Sequence, residues 1–308
     1  MNGHGRRIFN VVIPKYFKRE SVIIPPLIGI IALVLVLSLS STYFFTISNI
    51  INILRQVSII SIVAVGMTYA ILTGGIDLSV GSTVALSGVV TTVLLKNFGL
   101  NLGLCILGGL FIGVLVGAGN GILIVSKIKM PPFIATLAMM GIARGVALVI
   151  TSGRPIFQLP DQFSFIGGGF LFRIPFPVII MFVVYIIAYI NLKYTKSGIH
   201  FYSVGGNEEA SRLAGIKIST VKFRAYVISG LTASLAGIIL ASRVMVGEPI
   251  AGYMYELDAI AAVVIGGTSM FGGEGSIIGT LIGALLMGIL RNGLNLLNVS
   301  AYWQQTLL

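Results

Sequence analysis

Acidic residues are scarce in this chain: nine Asp and Glu stand against twenty Lys and Arg in 308 residues, and only 9% of the sequence is charged. A chain so poor in charge cannot clothe an aqueous surface, which excludes an ordinary soluble fold. Cysteine occurs once, at Cys105 in an apolar run, so an intramolecular disulfide is ruled out and a metal cluster is disfavoured. Histidine occurs only at His4 and His200. Neither His-Glu-x-x-His nor Gly-x-Ser-x-Gly is present, so the sequence carries no zinc-protease or serine-hydrolase pattern. The Gly-x-x-x-x-Gly-Lys-[Ser/Thr] phosphate loop is missing too, which assigns any nucleotide hydrolysis to another protein. No catalytic, metal or cofactor site is therefore expected on this chain.

What fills the sequence instead is apolar: 56% of residues are hydrophobic and mean hydropathy is +1.03. Crossing a bilayer takes about 20 apolar residues. Candidate spans fall near 21–41, 50–73, 77–95, 102–125, 132–151, 175–192, 222–243, 257–272 and 276–292. The expected fold is an all-α polytopic membrane protein with about nine spans, a single transmembrane domain over 21–308 and one long polar loop at 191–222. The first apolar stretch, 22–39, is long for a signal-peptide core and no small-residue cleavage site follows it, so it is read as a retained span. Residues 1–20 mix Arg and Lys with Phe9, Val11, Tyr16 and Phe17, the composition of an interfacial anchor on the lipid bilayer.

Charge sets the orientation. With the N-terminus in the cytoplasm, thirteen of the twenty Lys and Arg fall in inner segments and five in outer ones (Lys96, Arg154, Arg173, Arg243, Arg291), with Arg55 and Arg144 inside spans. That bias follows the positive-inside rule and explains the net charge of +11 without nucleic acid as a partner.

One interruption in the apolar pattern points to function. Gly74-Gly75-Ile76-Asp77-Leu78-Ser79-Val80-Gly81-Ser82 puts a carboxylate among glycines at membrane depth. An ionised Asp at the centre of a lone span costs roughly 2.5–3.5 kcal/mol, and glycines favour a broken or re-entrant backbone that survives only where protein or a cavity satisfies it. Asp77 either caps the next helix through the N–H groups of Ser79 or Val80, or lines a route with Ser79, Ser82 and Asn120. Uncharged polyols need hydrogen-bond donors and acceptors on such a route and little net charge. A similar Gly266-Gly267 and Gly275-Ser276 break in the second half suggests a two-halved bundle with broken helices. Gly109, Gly113, Gly117 and Gly121 recur every four residues, a face that admits a close neighbour. Arg144 lies within a span, where it either snorkels outward or forms a structural charge pair with Glu256 or Asp258, of which Asp258 is the expected partner.

The polar loop holds a second pattern. Asn207 suits an N-cap, Glu208 and Glu209 a first turn, Ala210, Ser211, Arg212, Leu213 and Ala214 a short body, and Gly215 a stop. Such an exposed helix, tethered between two spans, is either an ordinary capped surface element or a place where another protein can push.

These two runs, together with Tyr255-Glu256-Leu257-Asp258-Ala259-Ile260-Ala261-Ala262-Val263-Val264-Ile265-Gly266-Gly267-Thr268-Ser269, closely resemble the ribose-type ABC sugar-importer permeases. The likeness runs from about residue 43 to 302 and includes Phe133-Ile134-Ala135-Thr136-Leu137 and Arg291-Asn292-Gly293-Leu294-Asn295. The resemblance implies a permease subunit in the bacterial inner membrane that pairs with a second permease subunit, homo- or heterodimeric. It also implies a periplasmic sugar-binding protein as donor and cytoplasmic ATPase subunits as the motor, with ATP on the partner. In that family the loop helix docks on the ATPase with an E-A-A-x-x-x-G pattern, which Glu209, Ala210 and Gly215 match, with Ser211 for the second Ala. Relatives continue past the position of Trp303 into a tenth span, so residues 293–308 are expected to form only part of a helix. Two other classes compete: an ion-coupled secondary transporter using Asp77, and a membrane scaffold without transport.

Overall fold

The computed structural model describes residues 20–300 and 303–304. The interfacial segment expected at 1–20, apart from Glu20, and residues 301, 302 and 305–308 lie outside these residues. Twelve α-helices follow in order: α1 Glu20–Ser40, α2 Ile47–Leu72, α3 Val80–Lys96, α4 Leu102–Val125, α5 Pro132–Thr151, α6 Ser164–Gly168, α7 Phe176–Tyr194, α8 Lys196–Gly206, α9 Glu208–Leu213, α10 Ile218–Val244, α11 Tyr255–Ile265 and α12 Ile277–Leu296. A two-stranded antiparallel hairpin, β1 Phe170–Leu171 and β2 Ile174–Pro175, pairs Phe170 with Pro175 ahead of α7.

Each of the nine apolar segments read from the sequence contains a helix, but the count of nine spans is not confirmed. Among the described residues six helices are long and apolar enough to cross a membrane: α2, α4, α5, α7, α10 and α12. The apolar stretches Ile24–Ser40 and Val80–Lys96 are shorter. The largest departure is the segment expected at 257–272. Its helix, α11, has 11 residues and stops at Ile265, because Gly267 turns into the left-handed region at φ 84°. Eleven residues at about 1.5 Å each reach only half of a bilayer core of about 30 Å.

Burial sorts the helices into centre and rim. In α2 and α10, 67% and 72% of the most apolar stretch is buried, against 28% and 22% in α4 and α5. The large exposed side chains of α4 and α5, such as Phe111, Leu115, Ile142 and Val149, accordingly suit lipid. α10 packs against α4, α2 and α3, while α12 joins α2 to α1 and α11. Contact between α4 and α10 is close because small residues meet: a Cβ on Gly230 would stand 2.9 Å from the Gly117 nitrogen. The four-residue glycine stripe of α4 thus does what its spacing predicts, letting backbones approach where apolar burial gives no drive in lipid. Buried polar pairs tie α2 to α12: Asn49 and Asn292 exchange amide hydrogen bonds at 3.1 and 2.8 Å, and the Thr68 and Thr280 hydroxyls lie 2.9 Å apart.

Candidate coupling and translocation site

The loop at 191–222 is almost entirely helical. Thr195 caps α8 by accepting from the Gly198 N–H at 3.1 Å, and α8 runs to Gly206, an element the residue pattern did not reveal. Asn207 then caps α9, its Oδ1 accepting from the Ala210 N–H at 2.9 Å. Gly215 ends the unit at φ 82° with its N–H on the Arg212 carbonyl at 3.0 Å, and the Ile216 N–H returns to Ser211 at 3.0 Å. Cap and stop therefore stand where the sequence put them. Glu208 is ion-paired with Lys222 at the start of α10, which fastens the short helix to a central span. Of residues 207–215 only Ser211 is buried, and the apolar Leu213 is 85% exposed.

Immediately before α9, three backbone segments meet. The Gly273 N–H donates to the Leu72 carbonyl at 3.0 Å, joining the break after α2 to the break before α12. Gly205 fits into this junction: a Cβ there would lie 2.5 Å from the Gly273 nitrogen, 2.9 Å from the Leu72 carbonyl carbon and closer still to its oxygen. A Cβ on Gly272 would be 2.8 Å from the Gly74 nitrogen and 3.1 Å from the Gly205 Cα. Backbone against backbone leaves no side chain to absorb movement, so a shift of α8 and α9 is felt directly by both interruptions.

Asp77 sits in the first interruption and is fully buried. Its Oδ1 accepts from the Ser79 N–H at 3.0 Å, the Ser79 hydroxyl at 2.6 Å and the Asn120 amide at 3.3 Å. The Asn120 amide also donates to the Ser79 hydroxyl at 2.8 Å, clamping α4 onto the break. Ser82 is buried with its hydroxyl returned to the Ser79 carbonyl at 2.9 Å. The structure thus brings Asp77, Ser79 and Asn120 into one node, with Ser82 one turn further along, and shields all four from solvent. Ser229 of α10 faces the same carboxyl, and the Tyr226 hydroxyl stands against Gly75. Asp77 Oδ2, Asn120 Oδ1, the Tyr226 hydroxyl and the Ser229 hydroxyl have no hydrogen-bond partner among the described residues. Residue order offered no sign of Tyr226 and Ser229, which come from a helix more than a hundred positions away.

The expected Arg144–Asp258 pair does not form. Arg144 donates to the carbonyls of Pro249 and Ala251, both at 2.8 Å, holding the loop between α10 and α11. Asp258 pairs instead with Arg291 of α12 at 2.7 Å. The physical reason is placement: Arg144 on α5 is held by two backbone oxygens and stands near Glu256 in the first turn of α11, the other partner the sequence offered, whereas Asp258 faces α12, which packs side by side with α11. Asp258 near the start of α11 and Arg291 near the end of α12 meet because consecutive helices joined by a loop run back past each other.

Comparison with known proteins accords with this geometry. The family described as "Branched-chain amino acid transport system / permease component" matches residues 49–308. The "Ribose import permease protein RbsC" of Haemophilus influenzae is 47% identical over 281 residues, covering 90% of this chain and 86% of that protein. Its Bacillus subtilis counterpart is 48% identical over 281 residues, covering 91% and 87%. The "D-allose transport system permease protein AlsC" of Escherichia coli is 38% identical over 267 residues, covering 87% and 82%. No solved structure matches.

Proposed function

Since the chain belongs to the branched-chain amino acid transport system permease component family and is a permease subunit of an ABC importer, we propose that its cargo is a ribose-like monosaccharide. It is a transport subunit rather than an enzyme, and ATP is hydrolysed on a separate partner. The relatives' names carry the cargo reading, spanning ribose and allose. A binding protein on the outer side delivers the sugar, the N-terminus lies in the cytoplasm, and a second permease subunit completes the pathway.

The observation that carries the mechanism is the position of α9. Eight of residues 207–215 are exposed, while Gly205, two residues upstream, is locked between both helix breaks. The ATPase pushes on Glu209, Leu213 and their neighbours, α8 and α9 shift as a unit, and the Gly205 junction parts the two interruptions. Asp77, Ser79, Ser82 and Asn120 then meet the sugar as α3 and α4 separate. Support for that role is the unpartnered oxygens of Asp77 and Asn120, which can receive hydroxyl protons. Ion coupling through Asp77 gives way to the family assignment, since an importer of this class draws its work from ATP.

The test is uptake into vesicles holding the permease, its ATPase and its binding protein. D-ribose accumulation is expected to need ATP, to survive a proton ionophore and to vanish with a hydrolysis-dead ATPase. Accumulation that follows the ion gradient instead defeats the reading.

A further inference from the structure

At the end of the bundle opposite α8 and α9, a cavity of about 50 Å³ opens between α2, α10, α11 and α12, lined by Gln56, Arg243, Tyr255, Asp258 and Arg291 above apolar walls. Its polar lining is only partly used by the protein. Asp258 is nine-tenths buried; one of its oxygens holds Arg291 at 2.7 Å, and the other, Oδ2, has no hydrogen-bond partner among the described residues. The side chains of Gln56, Arg243 and Tyr255 form no hydrogen bond among the described residues either, although Tyr255 stands beside Arg243, Asp258 and Arg291. Arg55, the next cation, is taken up elsewhere: it donates to the Gly168 carbonyl at 2.5 Å and lies 4.8 Å from the Phe170 ring centre.

From this lining we infer a subsite for the hydroxyl-bearing edge of a polyol, used as the sugar enters the permease; the inference rests on the importer reading above. Buried polar groups are normally satisfied, so the buried, unpartnered Asp258 Oδ2, ringed by the half-buried and unused donors and acceptors of Gln56, Arg243 and Tyr255, marks a place built for something that is not protein. Their mixture selects the chemistry. An alcohol donates to Asp258 Oδ2 and accepts from Arg243 at once, with the Gln56 amide and the Tyr255 hydroxyl serving either way. An anion would satisfy Arg243 but face the free carboxylate oxygen, and Arg291 is already neutralised by Asp258. Size sets the limit. About 50 Å³ holds a few waters, far below the roughly 300 Å³ of a whole-ligand pocket, so one edge of the sugar enters and the rest stays in the passage. Among the described residues neither the Gln56 amide nor the Tyr255 hydroxyl makes a hydrogen bond, so each can be altered without breaking one.

The experiment measures ATP-driven D-ribose uptake by the complete importer carrying Gln56→Leu, Tyr255→Phe or Gln56→Asn, together with sugar-stimulated ATPase activity and membrane abundance. Gln56→Leu and Tyr255→Phe are each expected to lower uptake about fivefold, the loss of one hydrogen bond, with Gln56→Asn closer to the parent and with abundance and ATPase stimulation unchanged. Parental uptake by both, or loss of ATPase stimulation in step with uptake, overturns the subsite while leaving the importer reading intact. A parent that fails to take up D-ribose at all overturns the cargo reading and this inference with it.

Discussion

Replacing Gly205 by Ala tests the transmission of force more sharply than any change to α9 itself. Gly205 lies inside α8, where Ala in place of Gly favours the helix by about 1 kcal/mol, so local propensity predicts a gain. Tertiary contact predicts the reverse. The new Cβ would lie 2.5 Å from the Gly273 nitrogen and 2.9 Å from the Leu72 carbonyl carbon, both backbone atoms. Its closest approach is to the Leu72 carbonyl oxygen, and ordinary contact begins near about 3.5 Å, so α8 must retreat by more than about 1 Å from the break after α2, with overpacking at or above about 1–3 kcal/mol. Gly206 is an internal control, since its Cβ would meet only the Gly273 Cα at 3.8 Å, an ordinary distance. The assay is D-ribose moved per ATP hydrolysed in vesicles, alongside co-purification of the ATPase. Gly205→Ala is expected to cut uptake about tenfold while the ATPase still binds, because roughly 1.4 kcal/mol in the strained state corresponds to that factor. Gly206→Ala is expected to stay near the parent. Equal and undiminished transport by both variants refutes the argument that this junction carries the stroke.

Other expectations follow from the same contacts. Arg291→Ala leaves Asp258 buried and unpaired and lowers stability by about 3 kcal/mol, read as a drop in detergent-solubilised melting temperature; a charge swap between 258 and 291 recovers part of it, whereas one between 144 and 258 recovers none. Gly230→Val forces α4 from α10 and reduces folded protein in the membrane, checked by protease resistance, while Val at Gly141, which has open space around it, is tolerated. Asp77→Asn keeps a partner for Ser79 and preserves assembly but lowers uptake about tenfold; full uptake by this variant removes Asp77 from the route. Asn207→Ala deletes the cap of α9 and is expected to weaken ATPase stimulation rather than membrane abundance, a loss of about 1 kcal/mol from the helix alone.

Much of the frame was legible because membrane insertion imposes strong patterns. Apolar length marked α2, α4, α5, α7, α10 and α12 within a few residues, and Asn207 and Gly215 bracketed α9 because caps are local chemistry. The glycine break around Asp77 was visible for the same reason. Long-range choices were not. Asp258 takes Arg291 over Arg144 because two helices pack side by side and a loop carbonyl pair captures the rival, facts fixed by tertiary geometry. Helix α8 hides in a polar loop with no apolar stripe long enough to announce it. The meeting of Gly205 with Leu72 and Gly273 joins three segments spread across two hundred residues, and glycine composition alone gives no hint of which glycines meet.

The central claim is that α9 receives the motor's push. It is tested most directly by placing a cysteine at the exposed Leu213, with Cys105→Ser removing the natural thiol, and cross-linking the assembled importer during turnover. A cross-link to the ATPase is expected, with a yield that changes with nucleotide, and its formation stops D-ribose uptake. A cysteine at 213 that never reaches the ATPase, in an importer that still transports at the parental rate, contradicts it.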